Sequence, residues 1–94
     1  MTRIRPLFRV GDVLATPGAI QALTEAEVAA ALLLARHQCG DWGEVGAADW
    51  NWNNQALREG NRLLSAYNLP NGQRLWVMTE WDRSVTTLLL PSEY

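Results

Sequence analysis

The chain has 94 residues with 48% apolar and 19% charged side chains, which suits one small folded domain and excludes a disordered polymer. Its eight basic residues are all arginine and its acids number ten, so the net charge of −2 argues against a generic polyanion binder. One cysteine rules out an internal disulfide, so a reducing, cytoplasmic setting is expected.

The expected domain is 1–94, with residues 1–9 as a basic, loose arm. Met1 to Val10 has no apolar run of secretory type. The longest strictly apolar run, Val28 to Ala35, is too short to span a bilayer. A short strand is expected at Asp12 to Ala15. In "TPGAIQAL", Thr16 suits an N-cap and Pro17 the first helical position, predicting about two helical turns. "TEAE" reads as a capping box, with Thr24 capping and Glu27 reaching back, so a second helix is expected from Glu25 to His37. Val28, Ala31, Leu32 and Ala35 would form its buried stripe, widened by Leu33 and Leu34. Gly40 is the expected stop. "GDWGEVGA" reads as a loop. Asp49 is the expected cap of a third helix through "WNWNNQALREG", stopped by Gly60; on it Trp50, Asn54 and Leu57 share a face and Trp52 points elsewhere.

Beyond Gly60 the apolar period changes to two. "RLLSAYNL" and "QRLWVMTEW" read as strands joined by "PNG", with Asn71–Gly72 suited to a tight primed turn. "DRS" makes another turn through the Asp82 carboxylate, and "VTTLLL" is a third strand ended by Pro91. The expected fold class is α+β: two or three N-terminal helices packed on a C-terminal three-stranded antiparallel meander. Both sheet faces carry apolar residues, so a homodimer through the sheet is expected.

"RHQCGDWGE" gathers the only His and the only Cys with an Asp. On a helix, His37 and Cys39 diverge by about 200°, which does not suit a nucleophile and its base. His37 is expected to place partial positive charge in the last turn, and Cys39 to be an apolar filler. His37, Cys39 and Asp41 fall short of the four ligands of structural zinc. A triad through Ser65 or Ser84 with His37 lacks a nucleophile-elbow motif, and no glycine pattern cradles phosphate. No catalytic residue, metal or cofactor is therefore expected.

Five tryptophans in so small a chain exceed what one core absorbs. Trp and Arg dominate interface hot spots, so Trp42, Trp52, Trp81, Asp82 and Arg83 are the expected partner-binding residues. The alternative is a nucleic-acid contact through Arg3, Arg5, Arg9 and Arg74.

"VLATPGAIQAL", "RHQCGDWGE" and "LREGNRLLSAYNLPNGQRLWVMTEWDRSVTTLLLPSEY" together resemble a family of small proteins from bacterial plasmids and integrated elements, labelled plasmid-related or as subunit M of type I restriction endonucleases. R-H-x-x-G-D-W-G, T-E-x-D-R-S and L-L-P-x-E-Y carry the likeness, which covers nearly the whole chain. It transfers no catalytic residues, and 94 residues do not hold a methyltransferase's cofactor-binding domain. What it implies is a habitat in mobile DNA, where small proteins act on host defence machinery as anti-CRISPR or anti-restriction inhibitors. Trp81 stands where the resemblance implies Ala, and Trp50 and Trp52 replace more charged residues, which implies a surface elaborated for a partner.

Overall fold

The computed structural model describes residues 5–94. In chain order these form β1 (Asp12–Ala15), α1 (Pro17–Ala26), α2 (Ala30–Gln38), α3 (Ala47–Glu59), β2 (Leu63–Asn68), β3 (Arg74–Thr79), β4 (Val85–Leu89) and a 3-10 turn, η1 (Pro91–Glu93). The class is α+β, but the sheet has four strands, ordered β1-β4-β3-β2. The C-terminal meander is antiparallel as expected. β1 then joins it in parallel, Asp12 opposite Val85 and Ala15 opposite Leu88. The expected three-stranded sheet is thus corrected to a mixed one.

Thr16 caps α1 through the Ala19 N–H at 3.1 Å, with Pro17 in the first turn. Glu93 reinforces this end, accepting from Thr16 Oγ1, the Gly18 N–H and the Leu90 N–H, so η1 is pinned to the start of α1. The expected capping box does not form. Thr24 lies inside α1 and its hydroxyl donates to the Ile20 carbonyl at 2.8 Å. α1 instead ends at Glu27 in the left-handed conformation, φ 56°. The chain then turns through 104° into α2. This break shifts the buried face: Leu33 and His37 face the sheet with Val28 and Leu34 packed beside them, as part of the expected stripe implies, while Ala31, Leu32 and Ala35 are exposed, which corrects the rest of it.

α3 begins earlier than expected, with Gly46 at its N-cap, which leaves Asp49 in the first turn rather than at the cap. Its carboxylate still suits the helix dipole there. Gly60 ends α3 at φ 74°. The β2–β3 hairpin is also corrected. The Gly72 N–H donates to the Leu69 carbonyl and the Leu69 N–H to the Gln73 carbonyl, so the loop is Pro70-Asn71-Gly72. Only Gly72 takes positive φ (86°) in that loop, as in a turn closed by a bulge. Proline's fixed φ at Pro70 favours this arrangement over a two-residue primed turn.

The sheet's inner face, through Tyr67, Leu75, Val77 and Leu88, packs on Ala19, Ala22, Leu23 and Leu33. A second cluster of Trp42, Ala56 and Leu63, with Phe8, Val45, Trp50 and Leu57 against it, fills the angle between α3 and β2. Residues 7–10 are not a loose arm: the Leu7 N–H donates to the Gln38 carbonyl and Phe8 stacks on Trp42. No single helix among the described residues is long and apolar enough to cross a membrane.

Candidate functional site

The "RHQCGDWGE" segment disperses its chemistry. Arg36 Nε pairs with Asp41 Oδ2 at 2.7 Å, and its guanidinium lies 4.5 Å from the centre of the Tyr67 ring. That hydrogen-bonded pairing holds the Asp41 carboxyl below its ordinary value. Asp41 also receives the Gly43 N–H and, at its carbonyl, the Tyr67 hydroxyl. Cys39 Sγ donates to the Arg36 carbonyl. Both acid and thiol therefore serve the helix end.

His37 turns the other way and is fully buried. Its Nδ1 lies 2.6 Å from Ser65 Oγ and its Nε2 2.9 Å from Thr79 Oγ1. Thr79 Oγ1 is 2.7 Å from Thr86 Oγ1, and Thr86 donates to the Val10 carbonyl at 2.8 Å. Direction follows by elimination. Thr86 spends its proton on a carbonyl, so Thr79 donates to Thr86 and accepts from His37 Nε2–H. Nδ1 is left bare and accepts from Ser65. Burial, followed by the nearby Arg83 charge, lowers the His37 pKa to about 3. The expected partial charge at the helix end is thus corrected to a neutral imidazole.

Ser65 beside a neutral histidine resembles half of a hydrolytic triad, but no acid orients the ring. Ser65, His37, Thr79 and Thr86 are all fully buried, and no substrate carbonyl reaches the hydroxyl. The signal was present in the sequence: Ser65, Thr79 and Thr86 interrupt the apolar inner positions of three strands. Only the register shows that they meet at one histidine.

The tryptophans divide. Trp42, expected at a partner surface, is fully buried. Positive φ at Gly40 and Gly43 folds the loop inward. The indole then packs against both Phe8 and His37, which also touch each other, and Nε1–H donates to Asn54 Oδ1 at 3.0 Å. Trp50 and Leu57 join that cluster, so Trp50, Asn54 and Leu57 share a face as the helical spacing implies. Trp52 (54% exposed) and Trp81 (65%) are open to solvent. Trp52 borders a groove of about 200 Å³ with Val45, Asp49, Asn53, Arg62 and Leu64.

Trp81 rides on a clamped turn. Asp82 Oδ1 accepts from the Ser84 N–H and hydroxyl. Arg83 adopts φ 63° and its guanidinium donates to the carbonyls of Ala56, Asn61, Glu80 and Trp81. Asp82 and Arg83, expected to touch a partner directly, are thus engaged in holding the turn.

The alternative arginines do not converge. Arg3 lies outside the described residues. Arg5 and Arg9 are exposed in the segment docked at the α2 end, whereas Arg74 opens β3 and donates to Asn68 Oδ1. Val10 meets Thr86, opposite the last residue of β3, so Arg74 is a strand length away, about 17 Å. Comparison with protein-family models, curated proteins and solved structures returns no match.

Proposed function

We propose that this chain is a non-enzymatic, cytoplasmic protein of mobile DNA that inhibits a host defence complex, of CRISPR or restriction type, by occupying a protein surface. The observation that carries the reading is Trp81. Its indole is 65% exposed, while its backbone is braced by a turn tied to the end of α3. An aromatic ring displayed on a rigid mount loses little freedom on binding, which is what an interface anchor requires. Trp52 supplies a second exposed indole on α3. Asp82 and Arg83 act through the turn, by fixing where Trp81 points. The motif resemblance to plasmid and integrated-element proteins supports the habitat, and the sealed Ser65–His37 pair favours binding over catalysis.

The test is a tagged pull-down from cells producing defined CRISPR and restriction complexes, with nuclease treatment. Stoichiometric, nuclease-resistant capture of one complex is expected. Trp81→Ala is expected to weaken it at least about 30-fold, the scale of a hot-spot residue. Capture that Trp81→Ala and Trp52→Ala leave unchanged removes the assigned surface. Nucleic acid alone, lost after nuclease, turns the reading to an accessory protein working through Arg3, Arg5, Arg9 and Arg74.

A further inference from the structure

The two edges of the sheet are treated differently. At the β2 edge the outward groups of Leu64 and Ala66 have partners: Asn53 Nδ2 donates to the Leu64 carbonyl, Asn53 Oδ1 accepts the Leu64 N–H, and Ala66 pairs with the Trp42 carbonyl and the Glu44 N–H. Among the described residues the β1 edge has no such cover. The Asp12 N–H donates to Ser84 and the Thr16 N–H to Leu88, so alternate residues Asp12, Leu14 and Thr16 face β4. Val13 and Ala15 therefore turn their N–H and carbonyl groups outward. No proline, lysine or bulge blunts this strand, and Val13 and Leu14 are 44% and 56% exposed.

We propose that β1 pairs with β1 of a second copy, antiparallel about a twofold axis at Leu14, making one continuous eight-stranded sheet. The outward groups fit that symmetry and no other register so fully. Val13 faces Ala15 of the second copy as a hydrogen-bonded pair, each exchanging both N–H···O bonds, and the axis repeats the pair. Leu14 then faces Leu14 as a non-hydrogen-bonded pair, where side chains approach closest. The contact is isologous and closes at two copies. It covers the open edge and the two exposed leucines together. Trp52, beside β2, stays at the far ends of the joined sheet, so this pairing is independent of the partner reading above.

Sedimentation equilibrium tests it first. The mass is expected to rise with concentration from 10.5 kDa toward twice that value. Leu14→Lys, which sets two like charges opposite each other on an exposed site, is expected to hold the mass at the monomer with unchanged circular dichroism. The second test is Leu14→Cys in a Cys39→Ala background, oxidised with glutathione disulfide. A non-hydrogen-bonded pair spaces its Cα atoms about 4.5 Å apart, within reach of a disulfide. A covalent dimer is expected, and Arg9→Cys in the same background serves as the uncoupled control. A wild-type chain that stays monomeric at millimolar concentration overturns the proposal. So does a dimer that Leu14→Lys leaves intact and Leu14→Cys fails to cross-link.

Discussion

Ser65 Oγ lies 2.6 Å from Nδ1 of His37, and both side chains are shut off from solvent. The consequence is a pH dependence of stability. Burial lowers the imidazole from 6.5 to about 3 in the fold, so between those values the unfolded chain holds the extra proton. Stability therefore rises with pH through this window. It is complete above about 6.5 and lost as the pH falls toward about 3, an effect of roughly 5 kcal/mol in full. The urea midpoint is expected to be flat from pH 8 to 7 and to decline from 6.5 to 4.5, above the range where Asp41 contributes. His37→Gln is expected to lower stability at pH 7 by about 2 kcal/mol and to flatten that decline. A wild-type profile as flat as the variant's contradicts the neutral, buried imidazole.

The Arg83 guanidinium meets the Ala56 carbonyl at 3.0 Å while the Arg83 backbone sits at φ 63°. Two substitutions separate these features. Arg83→Gly removes the guanidinium but relaxes the backbone, and is expected to cost about 2–3 kcal/mol through the released carbonyls. Arg83→Ala loses the same bonds and keeps the strained φ, so it should be worse by about 1 kcal/mol. Thermal unfolding of both variants decides this. An alanine variant as stable as the glycine one assigns no cost to the left-handed backbone.

Asn53 imitates a strand residue, giving both amide atoms to Leu64. Asn53→Leu keeps the number and branching of the side-chain heavy atoms and improves helix propensity by at most about 0.5 kcal/mol. Against this it leaves the half-buried N–H and carbonyl of Leu64 unpaired, a cost of about 1–3 kcal/mol. Net destabilisation is expected, with faster hydrogen exchange at the Leu64 amide. A variant as stable as the wild type means water replaces the amide at no penalty.

Much of the fold is legible in local pattern. Thr16-Pro17 starts α1, Gly60 stops α3, and the period-two runs mark β2, β3 and β4. The α1–α2 break was not, because Thr-Glu-Ala-Glu suits a helix start as well as a last turn. The choice falls to Glu27, whose left-handed backbone lets α2 pack across the sheet. Nor does periodicity reveal β1 beside β4, since that pairing joins residues more than seventy positions apart and is set by packing. For the candidate site, surplus tryptophan was readable from composition. Which indole faces water was not: Trp42 and Trp81 both follow polar loop residues, and glycine-driven backbone geometry buries one while the Arg83 clamp displays the other.

Gly43 supplies the sharpest test of that geometry. It sits at φ 74° in a one-residue bridge to Ala66, and a Cβ there would run into the Ala66 carbonyl oxygen and the Tyr67 ring. Gly72 shares the positive φ (86°) but has open space around it. Gly72→Ala therefore reports backbone strain alone, about 1 kcal/mol. Gly43→Ala adds a clash with backbone that cannot rotate away, and is expected to cost more than about 3 kcal/mol. The loop carrying Trp42 should then detach, so the tryptophan emission of Gly43→Ala shifts to the red under conditions where Gly72→Ala matches the wild type. Equal losses in the two variants, with no spectral shift, would mean that the loop yields without releasing the indole and that the burial of Trp42 does not depend on this approach.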